Sequence, residues 1–149
     1  MRHAARVIVV DESDRVLLFH GRSLDGKRSF WIAPGGGLEG DEDAATAARR
    51  ELHEETGLRV DLDRPVWTRV HTFPWIDGLT QQHETFFVAR VRAEEVVAPA
   101  GDDYTFEHRW WSLDEIRASD AAFAPRRMAK FLPPLLRGEL PGSPVDVGP

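Results

Sequence analysis

The chain has 149 residues, of which 42% are hydrophobic and 30% charged, and its formal net charge is −6. This length suits one folded domain, and no apolar run nears the roughly 20 residues that cross a membrane. The negative charge argues against long nucleic acids as partners. The lack of cysteine excludes disulfides, thiolate metal sites and cysteine nucleophiles, and we expect a cytoplasmic location.

The first third of the chain contains three segments that are rich in β-branched and large apolar residues. Residues 5–10 and 15–20 flank a polar turn sequence and predict a hairpin. Residues 29–34 predict a short strand that runs into a Pro-Gly turn at 34–37.

Residues 41–56 give the clearest helical pattern in the chain. Asp41 can cap its start, and Gly57 can supply a left-handed stop. Small and aliphatic residues recur on one face at helical spacing, namely Ala44, Ala45, Ala48 and Leu52. This face predicts close packing of the helix against a sheet.

The rest of the chain predicts three more strands and a second helix. The strands are expected at 66–73, 84–92 and 107–113, with a loop at 74–82 and a helical turn at 113–116. The second helix is expected at 125–137, where Pro133 and Pro134 predict a kink or an early end. Residues 138–149 have the composition of a flexible tail. This order of elements predicts one α/β unit with a mixed sheet.

Three glutamates crowd the end of the first predicted helix. Glu51, Glu54 and Glu55 stand at positions i, i+3 and i+4, where like charges repel by roughly 0.2–0.5 kcal/mol a pair. The helix dipole also favours cations at this end. We infer that a cation neutralises the cluster, and carboxylates without histidine or cysteine suit Mg²⁺ or Mn²⁺ better than Zn²⁺. The alternative is an ordinary solvated acidic helix end.

The surrounding residues carry a longer pattern. Residues 36–58 match G-x5-E-x7-R-E-U-x-E-E-x-G-U at every fixed position, where U is a bulky aliphatic residue. This segment resembles the signature of the Nudix hydrolases. The resemblance implies an α/β fold, with an α/β/α sandwich around a mixed β-sheet, and one domain over residues 1–137. It also implies metal-dependent hydrolysis of a nucleoside diphosphate linked to another group.

The resemblance implies a role for each matching residue. Glu51, Glu54 and Glu55 would be the ligands of Mg²⁺, or of Mn²⁺. Arg50 and Glu42 would hold the helix and orient the carboxylates. The paired glycines Gly36 and Gly37 would let the backbone turn tightly beside the metal-bound phosphates.

The general base is left open by the sequence. Glu54 is one candidate, and acids of the later loop are others, namely Glu107, Asp102 and Asp103. We select Glu107 as an extra ligand or base, against the alternative of an exposed residue at a strand start. Glu84 is a weaker candidate for the same role.

Basic and aromatic residues outside the motif suggest where substrate binds. Arg22, Lys27 and Arg28 can meet phosphates, unless they form an ordinary basic surface loop. Trp75, with Phe73, can stack on a base, because residues 71–78 read as a loop with exposed rings.

The substrate itself is less well defined. Pro74 follows Leu58 by sixteen positions, a spacing that resembles a marker of ADP-ribose-hydrolysing relatives. It favours a nucleotide sugar slightly over a nucleoside triphosphate. A nucleotide sensor without activity is the alternative from another class, and a homodimer is open.

Overall fold

The computed structural model describes residues 1–23, 25–76, 78–97 and 105–149. The strands are β1 Arg2–Val10, β2 Val16–Arg22, β3 Ser29–Ile32, β4 Gly35–Gly37, β5 Trp67–Trp75, β6 Gly78–Arg90, β7 Thr105–Trp111, β8 Phe123–Ala124 and β9 Val145–Asp146. The helices are α1 Ala44–Thr56, α2 Leu113–Ala118 and α3 Met128–Leu136, with a 3-10 turn at Ala93–Glu95. No helix in these ranges is long and apolar enough to cross a membrane.

The strands form one mixed sheet that divides around β1 and β2. The order is β8-β3-β2-β1-β6-β5-β9, with β4 beside β1 and β7 beside β2. The predicted hairpin of β1 and β2 is confirmed by the antiparallel pair Val10 and Val16 at its turn. Away from the turn, β1 pairs with β4 and β6 while β2 pairs with β3 and β7. The two halves of the sheet therefore splay apart.

Alternating side chains on β1 supply two cores, one on each face of the sheet. Val7 and Val9 pack with Leu52 of α1, whereas Ile8 packs with Leu132 of α3. All these side chains are fully buried. A strand turns successive residues to opposite faces, so a continuous apolar run can fill both cores at once. The predicted α/β fold with helices on both sides of a mixed sheet is confirmed.

Helix α1 begins later than the sequence suggests. Asp43, rather than Asp41, is the N-cap, and its carboxylate accepts a hydrogen bond of 2.8 Å from the amide of Thr46. The predicted stop is confirmed, because Gly57 has a φ of 75° and its amide donates to the carbonyl of His53. The predicted sheet-facing side is also confirmed by the burial of Ala48 and Leu52.

Two predicted loops are strands instead. Residues 35–37 form β4, because their backbone pairs with Ala4–Arg6 of β1. Within the expected loop at 74–82, residues 74–75 and 78–82 continue the hairpin of β5 and β6, in which Trp75 pairs with Gly78. Cross-strand pairing over the full length of the hairpin outweighs the turn-forming composition of this segment.

Helix α3 is continuous through both of its prolines. It starts at Met128 and runs to Leu136, with Pro133 and Pro134 inside it. The expected early end is therefore wrong, because the helix reaches Leu136. Although each proline removes a helix hydrogen bond, the helix buries Leu132 and Leu135 against the sheet, and this packing maintains it.

The C-terminal segment, which the composition predicts to be a flexible tail, packs against the sheet. Strand β9 runs parallel to β5 beside Trp67 and Thr68. Val147 is 1% exposed and belongs to the core under α3. The amide of Arg126 donates to the carbonyl of Pro149 at 3.0 Å. Burial of one valine, together with the strand pairing, fixes a segment whose composition alone suggests disorder.

Two valines of this segment provide a matched test. Val147→Ala should lower the free energy of unfolding by roughly 1–3 kcal/mol, because it opens a cavity in the core. Val145→Ala should change it by less than about 0.5 kcal/mol, since Val145 is 39% exposed. Urea denaturation of both variants measures the difference, and equal effects would show that the segment does not hold Val147 in the core.

Candidate functional site

Arg50 lies at the centre of the glutamate cluster. Its guanidinium donates twice to Glu42, at 2.8 and 2.9 Å, and once to Glu51, at 3.0 Å. It also donates to the carbonyl of Gly37 at 3.2 Å, and its Nη1 lies 3.5 Å from Glu54. The sequence predicts that an added cation neutralises the cluster. Arg50 already supplies part of that positive charge from within the chain.

The pair of Arg50 and Glu42 is fixed in its charged form. The hydrogen bonds from Arg50 and from the Glu39 amide lower the pKa of Glu42 to about 2. The same bond to Glu42 raises the pKa of Arg50 above its ordinary value. A bidentate pair of this kind also fixes direction, because both planar groups must face each other. Glu42 thus aims Arg50 at Glu51 and Glu54, as its expected role as a support requires.

Gly36 lies directly against the carboxylate of Glu51. A Cβ on Gly36 would lie 2.6 Å from the carboxyl carbon of Glu51, well inside contact distance. A Cβ on Gly37 would lie 2.9 Å from Nη2 of Arg2. These two glycines lie in strand β4 and not in the tight turn that the sequence suggested. They bring bare backbone against a carboxylate and a guanidinium.

Glu55 binds the same glycine strand. Its carboxylate accepts a hydrogen bond of 3.0 Å from the amide of Gly35. Glu51 is 19% exposed at its side chain, whereas Glu54 is 56% exposed. Two carboxylates of α1 therefore face the backbone of β4, and the third faces solvent.

These donors fit a hard divalent cation. Carboxylate oxygens are the ligands that Mg²⁺ and Mn²⁺ prefer, and the missing side chain of Gly36 leaves backbone beside Glu51. Within the described ranges, no three acidic or imidazole side chains already form a cage for a metal. Arg50 draws Glu51 and Glu54 toward itself, so binding a cation would require these carboxylates to exchange one positive partner for another.

An open cavity of about 580 Å³ adjoins the cluster. It is lined by Arg2, His3, Gly37, Leu38, Glu39, Gly40 and Glu51. Arg2 also donates to Gln82 and lies over the ring of Trp75, 5.6 Å from its centroid. The sequence analysis missed Arg2. Its place on β1, in register with Gln82 of β6, depends on a parallel pairing that the local sequence does not reveal.

An aromatic row extends from Trp75 along one face of β5. The ring of His71 stacks on Phe73 with centroids 5.0 Å apart, and Phe73 meets Trp75 edge-on at 5.8 Å. Alternate residues of a strand share a face, which aligns these three rings. Trp75 is 37% exposed. The exposed ring that the sequence predicted on a loop is therefore held on a strand.

A buried ionic cluster continues the same face toward the core. Glu84 is 1% exposed and forms salt bridges with both Arg6 and Arg69. Gln82 also donates to it at 3.1 Å. Burial would raise the pKa of Glu84, but the two arginines outweigh that effect and lower it. Both oxygens of Glu84 are engaged, so its weaker candidacy as a base or metal ligand is not supported.

The other basic and acidic candidates meet on the opposite half of the sheet. Glu107 lies with its Oε1 3.2 Å from Nδ1 of His20, and its side chain is 61% exposed. A second open cavity, of about 470 Å³, is lined by His20, Arg22, Gly26, Lys27, Arg28 and Ser29. Arg22, Arg28 and Glu107 thus share the region of β2, whereas the motif residues gather at α1 and β4. Asp102 and Asp103 lie outside the described residues.

Comparison with known proteins identifies the domain type. The model of the NUDIX domain matches residues 1–134. The chain is 39% identical over 80 residues to an RNA pyrophosphohydrolase of Dinoroseobacter shibae. The matched segment covers 50% of this chain and 49% of that protein. The chain is 31% identical over 112 residues to the CMP-5′-(N-acetyl-N-hydroxy-3-aminopropyl)phosphonate hydrolase of Streptomyces rubellomurinus, covering 75% of this chain and 52% of that protein.

The chain therefore spans about half the length of these curated relatives. Among solved structures, the MutT protein of Methanosarcina mazei Go1 is similar, with a TM-score of 0.66 and 22% identity. That likeness covers 87% of this chain and 90% of the MutT chain, and it supports the fold.

The environment of His71 predicts a pH effect on stability. Burial, followed by the charge of Arg69, lowers the pKa of His71 from 6.5 to about 4. Between these values the unfolded chain binds a proton that the folded chain does not, so stability should fall as the pH drops from 6.5 to about 4. Between pH 7 and pH 4.5 the loss should be on the order of 2 kcal/mol.

Chemical denaturation across this pH range checks the effect. His71→Gln removes the titrating group and should flatten this part of the pH dependence. His53→Gln, at an exposed position on α1, is the matched control and should keep the wild-type slope. Parallel curves for the wild type and His71→Gln would contradict the assignment.

Proposed function

The chain belongs to the Nudix family, and we propose that it hydrolyses the pyrophosphate linkage of a nucleoside diphosphate derivative with the help of Mg²⁺ or Mn²⁺. One observation carries the proposal. Glu51 and Glu55 both meet the glycine strand β4, and Arg50 binds both Glu51 and the carbonyl of Gly37 in the same strand. Acidic residues of a plain surface helix would have no reason to converge on bare backbone.

The chemistry of the substrate explains this arrangement. A diphosphate is anionic and repels a water nucleophile. A divalent cation bound by Glu51, Glu54 and Glu55 would neutralise phosphate oxygens and acidify a water. Arg50 would orient the carboxylates, and the backbone at Gly36 and Gly37 would admit phosphates where side chains are absent. Positioning and charge stabilisation account for most of the catalysis of phosphoryl transfer.

Glu54 is our first candidate for the general base. Its side chain is 56% exposed, and its contact with Arg50 is the longest that Arg50 makes within the motif helix, at 3.5 Å. It can therefore reach a water on the solvent side of the cluster. Glu107 is kept as a second candidate, because it borders the basic cavity near His20 and could act on a substrate that extends there.

The remaining contacts suggest how a nucleotide lies on the protein. We propose that Trp75 stacks on the base and that Arg22 and Arg28 bind outer phosphates or a second sugar. Arg2 connects the proposed base site to the glutamate cluster, since it lies over Trp75 and also lines the cavity beside Glu51. A nucleotide sugar such as ADP-ribose is our first candidate substrate, and a nucleoside triphosphate is the second. A cytoplasmic location, a homodimer and the 1–137 domain bounds stay predictions.

An RNA is a further candidate substrate, because one relative is named an RNA pyrophosphohydrolase. The formal charge of −6 favours a small nucleotide over a long polyanion. A nucleotide sensor without activity is the alternative from another class, and the presence of every motif glutamate argues against it.

The decisive experiment is a substrate panel at millimolar Mg²⁺. It should contain nucleotide sugars, nucleoside triphosphates and a 5′-triphosphorylated RNA oligonucleotide, with products identified by mass. Incorporation of ¹⁸O from water then shows which phosphorus is attacked. We expect turnover of a small nucleotide. Binding without turnover of any compound would support the sensor instead.

Glu54→Gln tests the cluster directly. We expect it to abolish most turnover, while the fold stays intact or gains a few tenths of a kcal/mol, because it relieves repulsion. Glu94→Gln, at a side chain that is 75% exposed, is the matched control and should keep wild-type activity. Thermal melting monitors the fold, and loss of folding in Glu54→Gln would show that the cluster is structural.

A further inference from the structure

Arg6 of β1 belongs to the buried ionic cluster and also contacts the strand that carries the glycines. We propose that Arg6, held by Glu84, is a positioning residue that fixes the Ala33–Gly35 backbone and thereby the carboxylate of Glu55. This inference rests on the proposed function, because Glu55 matters there as a metal ligand.

The first step is the attachment of Arg6 to the segment before β4. Its Nη1 donates to the carbonyl of Ala33 at 3.0 Å. The amide of the next residue, Val7, donates to the carbonyl of Pro34 at 2.9 Å. Arg6 itself pairs with Gly35 across β1 and β4. Three consecutive residues are thus held by two neighbours on β1.

The second step is the passage from Gly35 to Glu55. A Cβ on Gly35 would lie 2.6 Å from Cγ of Arg6, so the stem of Arg6 lies directly against this glycine. The φ of Gly35 is 155°, and a Cβ would also collide with the carbonyl oxygen of Ala5. The amide of Gly35 donates to Glu55 at 3.0 Å. Movement of Arg6 would therefore shift the donor that holds Glu55.

The third step is the anchoring of Arg6. Its Nε donates to Glu84, whose side chain is 1% exposed and is also bound by Arg69. A buried ion pair often adds little stability compared with apolar packing, and its best-supported use is to specify one arrangement. A planar guanidinium that spans Glu84 and Ala33 can specify a direction, which a lysine ammonium cannot.

Arg69 provides a matched control for Arg6. It is buried, binds the same Glu84 and comes from β5 on the other side of that carboxylate. Its described hydrogen bond goes to Glu84 and not to the Ala33–Gly35 segment. Arg6→Lys and Arg69→Lys therefore perturb the same buried cluster, but only the first removes the fork that reaches Ala33.

The test measures Mn²⁺ affinity of the full chain without nucleotide, by electron paramagnetic resonance titration. Arg6→Lys should raise the Kd at least tenfold, while Arg69→Lys should stay within twofold of the wild type. Both variants should lower the melting temperature to a similar extent. The ¹⁵N–¹H resonance of Gly35 should move in Arg6→Lys more than in Arg69→Lys.

Two outcomes overturn the inference alone: a wild-type Kd in Arg6→Lys, or equal weakening in both variants, which would indicate general loosening. If Arg6→Lys does not fold, Arg6→Gln is compared with Arg69→Gln, since each variant leaves Glu84 with one arginine. Weaker Mn²⁺ binding in Arg6→Gln than in Arg69→Gln supports the inference, and equal binding by the two variants overturns it. A wild-type chain that binds no Mn²⁺ overturns the proposed function as well.

Discussion

The site depends on one guanidinium among several carboxylates. Arg50 binds Glu42 through two hydrogen bonds and reaches Glu51 and Glu54 from the same position. Without this charge, the glutamates of α1 would repel one another at a helix end whose dipole is also negative. Arg50 thus makes the cluster compatible with a stable helix, and Glu42 determines which way the guanidinium faces.

The fold brings backbone, rather than further side chains, to the cluster. Strand β4 pairs with β1, and this pairing brings the glycines alongside α1. Close approach explains why glycine occupies position 35, since a Cβ there would collide with the backbone of β1, whereas a Cβ at Gly36 would displace the carboxylate of Glu51. Helix α1 and strand β4 therefore form the site together. Helix α1 carries Glu51 and Glu55, and β4 supplies the backbone that both carboxylates contact.

The sequence predicts the local part of this arrangement and not the long-range part. Fixed spacing along one helix suffices to identify Arg50 and the three glutamates, and Gly57 signals the end of α1. Arg2 and Arg6 were missed because their partners lie about 80 residues away on β6, as the pairs with Gln82 and Glu84 show. Such contacts depend on which strands are neighbours, and a single sequence carries little local information about that order.

The ionic clusters around Arg50 and around Glu84 differ in burial, and this difference suits different tasks. Arg50 is 22% exposed and Glu54 56%, so water can replace their contact at little cost, as is usual for exposed pairs. In the proposed function, Glu54 would exchange this contact with Arg50 for a cation. Glu84 is 1% exposed, and removing either arginine would leave a charge buried without its full set of partners. The buried cluster is therefore suited to hold a fixed frame beside the proposed site.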